Sequence, residues 1–207
     1  MKQILFNTEM VRAILEGKKT VTRRPIKPQP AGEMRRMGDD SCYPGCFGEE
    51  GAGRIYRPPY MVGDVLYVRE TWARIAVSPD GHFFPPGVYY YKAGPVKAPE
   101  GTLRKWSPSI HMPREAARIF LRVTAVRAER LLDMHLIDCE KEGVQLNFIE
   151  SGDLVMKSVR ARKRFAGVWD STMKAEDRET YGWEADPWVW VIEFERISKE
   201  EAGLCQT

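Results

Sequence analysis

A lysine and a threonine lie three residues apart in the segment EGKKTVTRR, residues 16–24, and both side chains can take part in covalent chemistry. A threonine hydroxyl becomes a useful nucleophile when a neighbouring base accepts its proton, and a neutral lysine can be that base. Lys19 and Thr22 are therefore candidates for a reactive site. The segment also carries three further basic residues, Lys18, Arg23 and Arg24. A basic strand edge or a nucleic-acid patch is the alternative interpretation.

The elements around this pair decide whether the two side chains can meet. NTEMVRAILEG predicts a helix that is capped by Asn7 or Thr8 and closed by Gly17. KTVTRR alternates in the manner of a strand. In a regular strand, residues three apart point to opposite faces. Lys19 and Thr22 can therefore converge only if the strand begins near Thr20 or bulges, which leaves Lys19 in the turn after the glycine.

Further strands and helices follow from the apolar pattern of the remaining chain. Strands are predicted in VGDVLYVRETW, in GVYYYKAG, over residues 117–130 and in DPWVWVIEFERI; helices are predicted in DMHLIDCEKEGV, with Asp133 as N-cap, and over residues 155–173. The last strand is apolar on both faces, which predicts a central position in its sheet. Many strands with two or three short helices, and no βαβ regularity, predict an α+β fold on a curved, barrel-like sheet.

The composition is that of a globular protein. The chain has 207 residues, 43% of them hydrophobic, and a net charge of +3, so a nucleic-acid or nucleotide partner is permitted but not required. We expect one domain over residues 1–207, with a long loop insertion at about 25–60 that is rich in proline and glycine. The sequence leaves open whether this loop binds a ligand or is disordered. With no long apolar run and no signal peptide at the N-terminus, we expect a cytoplasmic protein without membrane association.

The cysteines do not follow a zinc-binding pattern. Cys42 and Cys46 have three residues between them, whereas Cys139 and Cys205 are isolated in the sequence. None of the three histidines lies close to the first pair. We therefore expect free thiols, no metal and no cofactor.

Four segments in order resemble the ASCH domain family of the PUA-like β-barrel superfamily. They are ILEGKKTVTRR, VGDVLYVRETW, ERLLDMHLIDCEKEGV and PWVWVIEFERI. The resemblance covers nearly the whole chain, apart from the loop at 25–60 and parts of 76–110. A fifth segment, HMPREAARIFLRVTAV, is similar to phage- and prophage-encoded members. The resemblance implies a PUA-like barrel and a role connected with RNA.

The resemblance also implies an activity. Some small bacterial members are metal-independent amidohydrolases that remove the acyl group from N(4)-acetylcytidine with a Lys–Thr–Glu triad. The matching positions here are Lys19, Thr22 and Glu142, and Glu142 would orient the lysine or carry a proton to the leaving amine. This chain is about twice as long as those enzymes, which leaves the substrate open.

Other residues are candidates for binding a nucleoside substrate. Trp72 is able to stack on a pyrimidine and Glu70 to accept a hydrogen bond from a base edge; Arg23, Ser109 and His111 complete the predicted binding residues. A core tryptophan and a proline-rich turn are the respective alternatives for Trp72 and for the segment that holds Ser109 and His111. A non-catalytic module that binds RNA or a modified base, and a ribonuclease, remain alternative functions.

Overall fold

The computed structural model describes residues 1–74, 88–96, 105–144 and 154–204, and these residues form a mixed α+β fold. The described α-helices are α1 (Thr8–Leu15), α2 (Leu136–Lys141), α3 (Leu154–Ser171) and α4 (Arg178–Tyr181). The described strands are β1 (Lys2–Leu5), β2 (Val21–Pro25), β3 (Met34–Arg36), β4 (Phe47–Glu49), β5 (Ile55–Tyr56), β6 (Val65–Arg69), β7 (Trp72–Arg74), β8 (Tyr89–Tyr91), β9 (Phe120–Arg130) and β10 (Trp188–Ile197). The α+β class is thus confirmed.

The chain divides into two compact units. Unit 1 contains Met1–Gly17, Asp64–Arg122 and Glu195–Thr207, and unit 2 contains Lys18–Gly63 and Val123–Phe194. The expectation of a single domain stays a prediction, and each unit is described separately below.

Unit 1 contains one parallel and one antiparallel pair of neighbouring strands that share β6. Strand β1 runs parallel to β6, and β6 runs antiparallel to the first residues of β9. Strands β7 and β8 form a separate antiparallel ribbon. Helix α1 begins where the sequence predicts, because the Asn7 side chain accepts a hydrogen bond of 2.9 Å from the Met10 amide. Its buried residues are Val11, Ala13 and Ile14.

Unit 2 holds the candidate triad. Its larger sheet has the order β9-β10-β2, and β10 runs antiparallel to β2 with Ile192 opposite Thr22. The central position predicted for β10 is therefore confirmed. Apolar side chains of β2, β10, α2 and α3 form a core with Leu131 and Met134; these side chains are Val21, Cys139, Ala161, Phe165, Trp169, Val189 and Val191. Burial of this core holds α2 and α3 in unit 2.

Three expectations about the elements need correction or remain open. Residues 25–60 are not simply a loop, since they contain the antiparallel sheet β3-β4-β5. Within it the Glu49 carboxylate accepts hydrogen bonds from the amides of Ala31 (2.7 Å) and Gly32 (2.9 Å). Helix α3 has 18 residues and is not short. The strands form open sheets, so the curved barrel is not confirmed.

Two further findings concern single elements. Helix α2 begins after His135 rather than after Asp133, because Asp138 accepts a hydrogen bond from the His135 amide at 2.9 Å and closes the first turn. Among the described residues, none of the helices has the length and apolar character required to cross a membrane.

Candidate active site

Lys19 precedes the strand that carries Thr22. Gly17 has a left-handed φ of 72°, and β2 begins only at Val21. The backbone of Thr20 fixes this approach, since its amide donates to the Lys141 carbonyl and its carbonyl accepts from the Phe194 amide, both at 2.9 Å. Lys19 therefore lies before the strand, as the sequence condition requires, while a contact between the Lys19 amine and the Thr22 hydroxyl stays a prediction. The two residues are 2% and 1% exposed, respectively.

The Lys19 ammonium group contacts Glu142 deep inside unit 2. Its Nζ donates to Glu142 Oε2 at 2.6 Å, to the Glu142 carbonyl at 2.9 Å and to the Val21 carbonyl at 2.7 Å. The lysine side chain is fully buried and that of Glu142 is 4% exposed. Three acceptors match the three N–H donors of an ammonium group. The contact joins residues 123 positions apart in the sequence.

Burial makes this lysine easier to deprotonate than an exposed one. Loss of hydration lowers the pKa of Lys19 below its ordinary value of 10.5, and the nearby cations of Arg24 and Arg23 lower it further. The charge of Glu142 and its hydrogen bond to Nζ act in the opposite direction. A lysine with a lowered pKa can release its proton and act as a base.

Glu142 is positioned by the end of helix α2. It is the C-cap residue, its amide donates to the Asp138 carbonyl at 2.9 Å, and Gly143 follows with a φ of 86°. This turn places the carboxylate between two cations. Lys19 contacts Oε2, and Arg23 Nη1 contacts Oε1 at 3.3 Å. Each carboxylate oxygen of Glu142 therefore accepts a hydrogen bond from a cationic side chain.

Arg23 contacts carboxylates of the protein itself. Its guanidinium group binds Glu129 at 2.7 and 3.1 Å, and it lies 3.4 Å from Asp138. A substrate-binding role for Arg23 stays a prediction. The sequence interpretation missed Glu129 and Asp138 as members of this cluster. The only available signal was Asp138, four residues before Glu142 and therefore on the same face of a helix.

Arg24 is a further cation of the site. It is half-buried, and desolvation lowers its pKa, while the charge of Glu142 counteracts this effect. Because it follows Thr22 by two positions on β2, it lies on the same face of the strand as that threonine.

The other predicted binding residues belong to unit 1. Glu70 is buried and forms a bidentate ion pair with Arg118, at 2.8 and 3.0 Å. Trp72 is half-buried and packs edge-to-face on Tyr89, with the ring centroids 5.7 Å apart. His111 is exposed, and Ser109 is half-buried at the start of the same 3-10 turn. Thus Lys19, Thr22, Arg23 and Glu142 lie in unit 2, and these four lie in unit 1.

The described cysteines are free thiols. Cys42 is exposed, while Cys46 and Cys139 are buried, and Cys205 lies outside the described residues. Burial raises the pKa of the Cys139 thiol to about 11, so this side chain is a poor nucleophile. Within the described ranges, histidine, cysteine and acidic side chains do not form a group of three that could hold a metal ion.

Comparisons with protein-family models, with curated proteins and with solved structures gave no match to this chain.

Proposed function

We propose that the protein is an amidohydrolase that removes the acyl group from an N(4)-acylated cytidine or a related small amide, without a metal ion. The reaction consumes one water molecule and releases a carboxylic acid and an amine. In this proposal Thr22 is the nucleophile, Lys19 is the base and Glu142 orients the lysine. The proposal includes an ASCH relationship and a PUA-like barrel.

The observation that carries the proposal is the buried contact between Lys19 and Glu142. Two ionisable side chains from distant parts of the sequence meet at 2.6 Å beside the strand that holds Thr22. Buried groups with a perturbed pKa are concentrated at functional sites. The four resembling segments add support, because they contain the end of α1 with most of β2, then β6, then α2, and finally β10.

The proposed chemistry has two stages. Lys19 first loses a proton to water, and its neutral amine then accepts the hydroxyl proton of Thr22 while the threonine oxygen attacks the carbonyl carbon of the amide. The C–N bond breaks as the amine leaves with the proton held by Lys19. Water then hydrolyses the ester on Thr22, which releases the acid and restores the hydroxyl. Glu142 keeps the lysine amine directed towards the reaction.

The direct test is incubation of the purified protein with N(4)-acetylcytidine, followed by the ultraviolet change on release of cytidine. We expect turnover by the parent protein and a loss of about 10²–10⁴-fold in Lys19→Ala, since a general base contributes about that much. Lys19→Arg should fail as well, because arginine stays protonated. Lys163→Ala is the matched control, since Lys163 is exposed on α3.

The outcome of this assay decides between catalysis and its alternatives. Turnover that survives in Lys19→Ala, with an unchanged circular dichroism spectrum, contradicts the role of Lys19 as base. Turnover that is lost on exhaustive chelation and restored by zinc contradicts a metal-independent reaction.

A module that binds a modified base without turnover is the second candidate. The observation that favours it is that Lys19 Nζ donates to three protein oxygens, which suits a lysine that remains charged. Calorimetric binding of N(4)-acetylcytidine with no release of cytidine would support this candidate over the amidohydrolase. Cleavage of a labelled RNA in the same samples would instead indicate a ribonuclease.

A further inference from the structure

Arg23 joins three carboxylates that come from different places in unit 2. Its side chain is fully buried on β2. Nε and Nη2 donate to Glu129 Oε1 on β9, at 3.1 and 2.7 Å. Nη2 also lies 3.4 Å from Asp138 Oδ2, and Nη1 donates to Glu142 Oε1 at 3.3 Å. One planar guanidinium group therefore contacts β9 and two positions of α2.

The two contacts with α2 lie one helical turn apart. Asp138 is in the first turn, where it also accepts the His135 amide, and Glu142 is the C-cap residue. Residues four apart share one face of a helix. Arg23 thus holds both ends of this short helix against β2, and the position of the Glu142 backbone follows from that contact.

The carboxylate of Glu142 has its orientation fixed by two cations. Arg23 donates a hydrogen bond to Oε1, and Lys19 contacts Oε2 at 2.6 Å. A carboxylate with a single partner can rotate about its last side-chain bond, because that torsion is broad. With a cation on each oxygen, the rotation is restricted and Oε2 remains directed at Lys19.

We infer that Arg23, supported by Glu129 and Asp138, is a positioning residue that sets the contact between Glu142 and Lys19. This inference rests on the proposed function, in which that contact orients the base. Arginine suits the position because its rigid fork can reach three carboxylates at once, whereas the single ammonium group of lysine cannot keep the same geometry. Arg23 acts on the reaction only through Glu142 and Lys19.

The chain offers a matched control for this role. Arg127 lies on the same strand as Glu129 and contacts the Glu129 carboxylate at 3.0 Å, and it also pairs with Glu193. Among the described residues, the carboxylates that Arg127 contacts are those of Glu129 and Glu193. Arg127→Gln therefore disturbs the outer part of the cluster and leaves the Arg23–Glu142 contact in place.

The first measurement is steady-state deacylation of N(4)-acetylcytidine by Arg23→Lys, Arg23→Gln and Arg127→Gln. We expect Arg23→Lys to lower kcat at least tenfold with KM within twofold of the parent value, and Arg127→Gln to change both by less than twofold. The charged groups that act on Lys19 are Glu142, Arg23 and Arg24. Loss of one cation in Arg23→Gln should move the low-pH limb of the activity profile to higher pH. If this variant does not fold, Arg23→Lys carries the test.

The second measurement does not depend on turnover. Selective ¹⁵N labelling of lysine side chains, with assignment by loss of the signal in Lys19→Met, reports the environment of the Lys19 amine. Arg23→Lys should shift this resonance by more than its linewidth, and Arg127→Gln should leave it in place. A parent protein without turnover contradicts the proposed function, but the shift still tests the positioning role.

The positioning role is overturned if Arg23→Lys leaves the Lys19 resonance unchanged. It is also overturned if Arg23→Lys and Arg127→Gln lower kcat and move the resonance equally, because a general loss of rigidity would explain both.

Discussion

The two units each bury a glutamate against an arginine, and the two arrangements differ in how the charges are shared. In unit 1, the Glu70 carboxylate pairs with Arg118 through two parallel hydrogen bonds. Arg118 also lies over the Tyr91 ring at 4.1 Å, and 27% of its side chain remains exposed. In unit 2, Glu142 is shared by Lys19 and Arg23, both with fully buried side chains.

The difference indicates in which arrangement chemistry is expected. A bidentate pair with a partly hydrated guanidinium group satisfies its donors and acceptors and needs no further explanation. A fully buried lysine is unfavourable, because the loss of hydration opposes its charge. In proteins generally, replacement of a buried ion pair by apolar side chains of similar volume is often neutral or stabilising. Chemistry is therefore expected at the cluster of Lys19, Arg23 and Glu142 in unit 2. The Glu70–Arg118 pair in unit 1 is the ion pair with which its stability is compared.

The largest expected effect is a difference in unfolding free energy between variants of the two glutamates, Glu142 and Glu70. Glu142→Gln leaves Lys19 without its charged partner in a dry environment, and breaking such a buried pair lowers the free energy of unfolding by about 3–5 kcal/mol. Glu70→Gln leaves Arg118 partly hydrated, so the loss should be about 1–3 kcal/mol. Urea unfolding of both variants and the parent measures the two values. Equal losses would remove the distinction between the arrangements.

A smaller effect concerns the pH dependence of unfolding. Because the pKa of Lys19 is lowered from 10.5 in the folded protein, the unfolded chain binds more protons between the folded pKa and 10.5. Lys19 therefore makes stability rise with pH in that window, by at most about 1.4 kcal/mol per pH unit. Urea titrations from pH 7 to 10 should show this rise in the parent and in the exposed-lysine control Lys163→Met, and a weaker one in Lys19→Met. Equal slopes in all three would contradict the lowered pKa.

Local pattern was sufficient to predict the elements that carry the triad. The Asn7 cap, the turn at Gly17 and the apolar residues on both faces of β10 are signals within a few residues, and each is confirmed. The sheet β3-β4-β5 was not predicted because its strands have two or three residues, too few to show an alternating pattern.

The cluster around Arg23 lay beyond the reach of such patterns. Its contacts join residues 106 and 119 positions apart, and only the folded sheet brings β9 and α2 to β2. The sequence interpretation assigned Arg23 to substrate binding, next to the predicted reactive residues Lys19 and Thr22. Burial of its side chain against three protein carboxylates could be known only from the packing.

The smallest expected effect on stability comes from Thr22, and it separates packing from chemistry. Thr22 is buried opposite Ile192, so Thr22→Val keeps its branched shape and should change the free energy of unfolding by less than about 0.5 kcal/mol. Thr22→Ser removes a buried methyl group and should lose about 1 kcal/mol. If the hydroxyl attacks the substrate, the order of activity is the reverse, because serine keeps the oxygen and valine lacks it. Urea unfolding and the cytidine assay on the same samples test both orders. If the valine variant keeps activity near the parent level, Thr22 is not the nucleophile and KKTVTRR is interpreted as a basic strand edge. An acyl group trapped on Thr22 and found by mass spectrometry would identify direct attack by the hydroxyl.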